Sequence, residues 1–366
     1  MKRLSHSYLP HILFSVVAWI CAITLFSFIR IYGVDEEGLY YIVSAEISTW
    51  QIALFQGLFM GAAFGLIFGW LDLVIDKRVR KQATFGVVIL VRSLIHLLAT
   101  LVIIHLSIYF SLQEVEKLTH TQISDIIREH VITRTTILLL IYTAVFSFLF
   151  NLIQQINNMF GPGILLNIIS GKYHRPTEER RVFVFLDLQS STTYAEQLGH
   201  KLYSELIQDC FYDLTDTVRK YQAAVYQYVG DEAVLTWREE DGLADWACIR
   251  ACFHFEDTIR KRASYYFNKY DLVPAFKAGI NCGPVMVTEV GVVKKEIAYH
   301  SDVLNTAARI QGRCNELGQR VLISSYLQER LSPLPEYRVE EVGEVYLKGK
   351  RQQVKLFAVN RNSDEI

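Results

Sequence analysis

Four stretches of this 366-residue chain are long and apolar enough to cross a bilayer, and they dictate what its first half can be. They run from His11 to Ile29, Gln51 to Ile75, Phe85 to Phe110 and Val131 to Ile153. A bilayer core takes about 20 apolar residues as a helix. Inside it every backbone amide must bond within its own segment, so these runs are expected to be helices. The first could be mistaken for a signal peptide. It lacks a small-x-small cleavage site, and three more spans follow, so it reads as an anchor. Lys and Arg then set the orientation. They sit at the N-terminus (Met-Lys-Arg) and in the loop Asp76 to Lys81, whereas the loop holding Asp35, Glu36 and Glu37 has only Arg30, directly after the first run. The basic side faces the cytoplasm. A multi-pass protein of the cell's inner membrane is expected, with its N-terminus and its C-terminal half cytoplasmic.

Polar and small residues inside the spans carry further expectations. Gly57, Gly61, Gly65 and Gly69 recur every four residues in the second span. That spacing permits close helix contact, within the chain or between copies. Arg92, His96 and His105 lie in the third span, where ionisable groups point to function. Arg92 is expected to snorkel to the cytoplasmic side. The histidines could bind haem, sense protons or only hydrogen-bond, and the spans could take a ligand or partner that the sequence does not name.

The rest of the chain has another character. The formal net charge is -1, so a nucleic-acid partner is not expected. The six cysteines form no CxxC pair. Cys248 and Cys252 lie four apart without a second pair, so they read as reduced structural thiols. After the membrane domain, residues 1–155, a coupling segment is expected over 156–179. There Gly161-Pro162-Gly163 interrupts the helix and the apolar run Ile164 to Ile169 needs a partner surface. A cytoplasmic domain follows over 180–360.

Arg181 to Leu188 is a continuous apolar run ending at Asp187, the pattern of a buried strand. A helix is expected from about Ser191 to Tyr221, broken near Gly199. Strands over 224–229 and 232–237 meet at Gly230-Asp231-Glu232, a hairpin turn. Asp241 reads as the N-cap of a long helix to about Lys269. Three strands follow (AFKAGINCG, VMVTEV, EIAYH), then a helix from Asp302 to Leu317, the strand VLIS, a short helix and two late strands. The order β-α-β-β-α-β predicts a ferredoxin-like α+β fold, an antiparallel sheet with helices on one face. In that topology the end of the first strand meets the hairpin tip, so Asp187 and Asp231 become neighbours. Two carboxylates that close repel unless a cation lies between them. Short acidic groups beside phosphate suit Mg²⁺ or Mn²⁺. The amides of Ser190, Ser191 and Thr192, at a helix N-terminus, offer a phosphate cradle.

From Arg180 to Val359 the sequence resembles the class III nucleotidyl cyclases, the adenylyl and guanylyl cyclase catalytic domain. The motifs that carry the resemblance are FLDLQSST, YQYVGDEAV, AGINCGPV, DVLNTAARIQ and YLKGK, in that order. The resemblance implies that Asp187 and Asp231, with the carbonyl of Leu188, hold two Mg²⁺ or Mn²⁺ ions per active site. It implies that Asn305 orients the ribose, that Arg309 stabilises the transition state and that Lys348 binds the triphosphate. One chain supplies the acids and its twin supplies Asn, Arg and Lys, so a homodimer follows. The chemistry implied is attack of a nucleotide's 3′-hydroxyl on its own α-phosphate.

The sequence departs from the family at the two base-selecting positions, here Gln227 and Ala298. These match neither the adenylyl nor the guanylyl pattern. The Gln amide presents both a donor and an acceptor. ATP is the expected substrate and signal transduction the expected role. The alternatives are a guanylate or pyrimidine nucleotide cyclase of the same fold, or a catalytically silent nucleotide-binding membrane receptor. A diguanylate cyclase fits less well, because the hairpin reads VGDEA and that family does not explain DVLNTAARIQ.

Overall fold

The computed structural model describes residues 4–33, 49–79, 84–115, 134–160, 164–346 and 353–362. The chain divides into two compact units, residues 1–159 and 160–366.

In the first unit the four apolar runs form helices α1 (Leu4–Gly33), α2 (Thr49–Val79), α3 (Phe85–Val115) and α4 (Arg134–Phe160). Each contains a stretch of length and composition suited to a membrane. The start of the expected fourth span, residues 131–133, lies outside the described residues, as do most of the connecting loops. Trp19, Phe64 and Phe68 are buried at the centre, with Phe146 of α4 against Trp19 at 4.9 Å. Large apolar side chains such as Phe55, Phe59 and Trp70 point outward. This inside-out arrangement fits lipid surroundings. The glycine stripe of α2 is used within the chain. A Cβ on Gly61 would lie 2.5 Å from the Cα of Ile20, and one on Gly65 would lie 2.3 Å from the Cα of Val16. The backbones of α1 and α2 therefore pack with nothing between them.

Arg92 does not snorkel. It is 1 % exposed and faces Asp72 of α2 inside the bundle. A buried acid gives the guanidinium a partner that makes the route to the interface unnecessary. His96 is also buried, whereas His105 is exposed.

The second unit begins with a short helix α5 (Ile164–Ile169), where the apolar run was expected; Gly161-Pro162-Gly163 lies outside the described residues. Then follow β1 (Thr177–Leu188), α6 (Ser191–Lys220), β2 (Ala224–Val229), β3 (Glu232–Arg238), α7 (Glu239–Leu243), α8 (Ala247–Lys261) and α9 (Ala263–Tyr270). The remaining elements are β4 (Phe276–Val290), β5 (Glu296–His300), α10 (Asp302–Arg313), β6 (Val321–Ser324), α11 (Ser325–Gln328), β7 (Tyr337–Tyr346) and β8 (Gln353–Arg361). The strands form one sheet in the order β2-β3-β1-β4-β6-β8-β7, with β5 paired to β4. All pairings are antiparallel except β4 with β6.

Three details differ from the sequence expectation. The long helix from Asp241 is three pieces, because Asp245 and Trp246 adopt positive φ and Arg262 ends α8. Asp241 lies inside α7 rather than capping a helix. The strands AFKAGINCG and VMVTEV are one continuous strand, β4, since Gly283 at φ +155 passes the bend without ending the ladder. The expected break at Gly199 is present, at φ 69 and ψ 165 inside α6.

Sheet alternation fixes where the helices lie. Val182, Val184 and Leu186 of β1 join the core beneath α6 and α8. Phe183 points the other way, into a second cluster with Val303 and Ala307 of α10. The two helices of the ferredoxin-like unit thus share one face, and α10 covers the opposite face. Gly279 permits this close approach. A Cβ there would lie 2.2 Å from the backbone nitrogen of Gln311.

Candidate active site

Pairing of β1 with β3 sets Asp187 directly across from Glu232. Asp231 precedes Glu232 at the hairpin tip, after Gly230 at φ +62. The two strands therefore bring the two acids together, as the topology predicts. Burial raises the Asp187 carboxyl above its ordinary range, and the nearby Asp231 raises it further. Burial, then Asp187 and Asp231, push Glu232 up to about 7. Asp231 Oδ2 is buried and has no hydrogen-bond partner among the described residues. A buried, unbonded carboxylate oxygen beside a second acid is costly without a counter-ion.

Two residues that sequence reasoning missed already answer part of that charge. Lys277 on β4 is the other cross-strand neighbour of Asp187, and its Nζ lies 3.3 Å from Asp187 Oδ2. Gln311 on α10 donates to the same oxygen at 2.7 Å. Tyr203 of α6, also missed, bonds Ser191 and has its hydroxyl pKa raised by burial first and then by the charge of the nearby acids. Lys277 could have been found, since a lysine inside the apolar run FKAGIN needs a buried partner.

The residue set fits a divalent ion. The acids repel, one oxygen is orphaned, and their hard oxygen chemistry suits Mg²⁺ or Mn²⁺. Among the described residues no group of three or more His, Cys, Asp or Glu converges as a ready-made cage. An ion that takes its other ligands from water and phosphate needs none.

Leu188 closes β1 and is 1 % exposed. Ser190 follows at φ 58, a tight corner that turns the chain into α6 without a side-chain cap. The first helical bond is from the Tyr194 amide to the Ser190 carbonyl. The amides of Ser191 and Thr192 thus open the helix, at its positive end and next to Asp187.

Asn305 and Arg309 are four apart on α10, as the spacing requires. At 100° per residue they share one face, with Arg309 about 160° and Asn305 about 120° around the helix from Gln311. Gln311 is buried against Asp187, while Asn305 is exposed and Arg309 half-buried. Within one chain, then, α10 turns Gln311 toward the acids and Asn305 with Arg309 away from them. Gln227 is exposed on the edge strand β2, and Ala298 is half-buried on β5. Their neighbours Tyr226 and Tyr299 meet edge to face at 4.9 Å. Lys348 lies outside the described residues. All six cysteines are free.

Comparison with known proteins shows the family and the fold. The family described as "Adenylate and Guanylate cyclase catalytic domain" matches residues 174–361. The chain is 35% identical over 211 residues to "Adenylate cyclase 2" of Rhizobium meliloti (strain 1021), covering 58% of this chain and 58% of that protein. It thus spans little more than half of that relative. Two solved structures of a bacterial light-regulated adenylyl cyclase share the fold. One has a TM-score of 0.52 at 15% identity, covering 63% of this chain and 67% of the other. The second has a TM-score of 0.50 at 16% identity, covering 59% and 63%.

Proposed function

This chain belongs to the adenylate and guanylate cyclase catalytic domain family, and from that premise we propose that it is a membrane-anchored adenylate cyclase, turning ATP into 3′,5′-cyclic AMP and pyrophosphate at a site shared by two copies. The observation that carries this reading is the Asp187–Asp231 pair with its orphaned, buried Asp231 oxygen.

In this reading Asp187, Asp231 and the Leu188 carbonyl hold two Mg²⁺ or Mn²⁺. Bound there, the ions would supply activation of the 3′-hydroxyl and neutralise the leaving pyrophosphate. Gln311 fixes the Asp187 carboxylate, so its free oxygen keeps one orientation. The amides of Ser190, Ser191 and Thr192 donate to phosphate oxygens at the helix N-terminus. Lys277, paired with Asp187 while the acids lack other cations, gains a second anion when triphosphate arrives. Arg309 places its planar guanidinium on the oxygens of the α-phosphate, where charge builds during transfer. Asn305 holds the ribose one turn away, and Lys348 binds the triphosphate tail. Because Asn305 and Arg309 face away from their own chain's acids, they serve the acids of a twin. Gln227 reads the adenine edge with its amide, and Ala298 leaves it room. The relative named as an adenylate cyclase supports ATP over GTP.

Four apolar helices and the basic loop between α2 and α3 support an inner-membrane anchor with the catalytic domain cytoplasmic. The test is cyclic-nucleotide formation by the full chain in liposomes, with Mg²⁺ or Mn²⁺ and each of ATP, GTP, UTP and CTP. ATP is expected to be preferred, and Asp187→Ala to lose activity by on the order of a hundredfold or more. Turnover that survives D187A, or a clear preference for GTP, overturns the reading.

A further inference from the structure

The bundle interior holds a charged cluster that neither anchoring nor catalysis uses. Asp72 of α2 and Arg92 and His96 of α3 are 0 %, 1 % and 0 % exposed. His96 Nε2 lies 3.2 Å from Asp72 Oδ1, and Arg92 Nε lies 3.8 Å from the same oxygen. His96 Nδ1 is 2.7 Å from Ser147 Oγ of α4. The imidazole stacks on Phe68 of α2 at 4.3 Å, and Trp19 of α1 meets it edge-on at 6.2 Å. Asp72 and Arg92 are the titratable groups that face it; Trp19, Phe68 and Ser147 carry no charge.

Three ionisable groups inside a membrane bundle cost far more than the apolar residues that could replace them. They are therefore read as functional. Both Asp72 oxygens are buried without a hydrogen bond among the described residues. We propose that Asp72, Arg92 and His96 form a proton-binding site within the bundle, and that α4 carries its state toward the catalytic domain.

Asp72 and Arg92 cancel, so a neutral His96 leaves the cluster uncharged and a protonated one leaves it at +1. Histidine is the side chain whose charge changes near neutral pH. The partners also fix the tautomer. In the neutral ring Nδ1 accepts from the Ser147 hydroxyl at 2.7 Å, which leaves the hydrogen on Nε2, 3.2 Å from Asp72 Oδ1 but not hydrogen-bonded to it. On protonation Nδ1 becomes a donor, and the Ser147–His96 bond reverses. Asn151 Nδ2 already donates to Ser147 Oγ at 3.3 Å, so the Ser147 hydrogen must find a new acceptor. Thr143, Ser147, Asn151 and Gln154 are all buried on one face of α4. That helix is the one that precedes the catalytic domain in the chain. One added proton thus rearranges a polar seam that ends about one and a half turns before the domain boundary.

The proposal's site can be tested apart from the cyclase reading; only its coupling arm rests on that reading. The full chain is placed in liposomes and its tryptophan emission followed from about pH 5 to 9. An imidazolium quenches a neighbouring indole more strongly than neutral imidazole does. The difference in emission between wild type and Trp19→Phe is expected to titrate with one midpoint and to be flat in His96→Gln. Ser147→Ala, which keeps all three ionisable groups, is expected to displace the midpoint by about half a unit or more. Cyclic-nucleotide formation in wild type should show an inflection at the same midpoint that is missing in H96Q. A flat difference emission in wild type, or an unchanged titration in H96Q, overturns the site. Titration without a matching inflection in an active enzyme overturns the coupling. If no cyclic nucleotide forms under any condition, the cyclase reading falls, and the emission arm still decides the site.

Discussion

Asp187 stands between a strand that ends in acid and a lysine that answers it. Its carboxyl and that of Glu232 are both pushed up by burial and by neighbouring acids. The folded state therefore binds more protons than the unfolded chain between the ordinary carboxylate range and about pH 7 for Glu232. Stability contributed by these protons is complete below that range and is lost as pH rises through 7. The metal-free protein should accordingly melt at lower temperature at pH 8 than at pH 6, and Mg²⁺ or Mn²⁺ should restore the difference. Glu232→Gln should flatten the pH dependence. A melting temperature independent of both pH and metal, measured by calorimetry, contradicts the acid cluster described here. The acids themselves were legible in the sequence, because a strand end and a hairpin tip are positions that topology brings together. Lys277 was half legible, since a lysine within an apolar run signals a buried partner without naming it, whereas Gln311, an amide on a helix, reveals its partner only once β1, β4 and α10 have packed.

At the scale of elements, α10 decides which residues meet the site. Its inward face rests on β4 only because Gly279 lacks a side chain. Gly279→Ala should push α10 off the sheet and cost about 1–3 kcal/mol or more, since the contact is backbone and cannot yield. Chemical denaturation measures this, and an unchanged midpoint contradicts the packing. Activity should fall more than stability does, because Gln311, Asn305 and Arg309 move together. In the membrane unit, Gly61→Leu should separate α1 from α2 in the same way, read as lost thermal stability of the full chain in detergent. Stability equal to wild type would show that the glycine stripe serves another contact. Helix and strand periods were plain in the sequence, down to the break at Gly199. What the sequence hid were backbone turns at ordinary residues, Asp245 and Trp246, whose positive φ no composition announces. The buried Asp72 was hidden for another reason. It falls near the end of an apolar run, and only the bundle shows that it faces Arg92 instead of water.

At the scale of the whole molecule, the account requires two copies. The acids gather on the sheet, while Asn305 and Arg309 point to other sides of α10 than Gln311, so in the proposed reading a single chain holds two half-sites that do not serve each other. Asp187→Ala and Arg309→Ala should each be inactive alone, since either change spoils both sites of its own dimer. Coexpressed in equal amounts, half of the dimers are mixed, and each mixed dimer has one intact site of two. The mixture should therefore recover about a quarter of wild-type ATP turnover, and a mixture as inactive as its two components would contradict a site shared between chains.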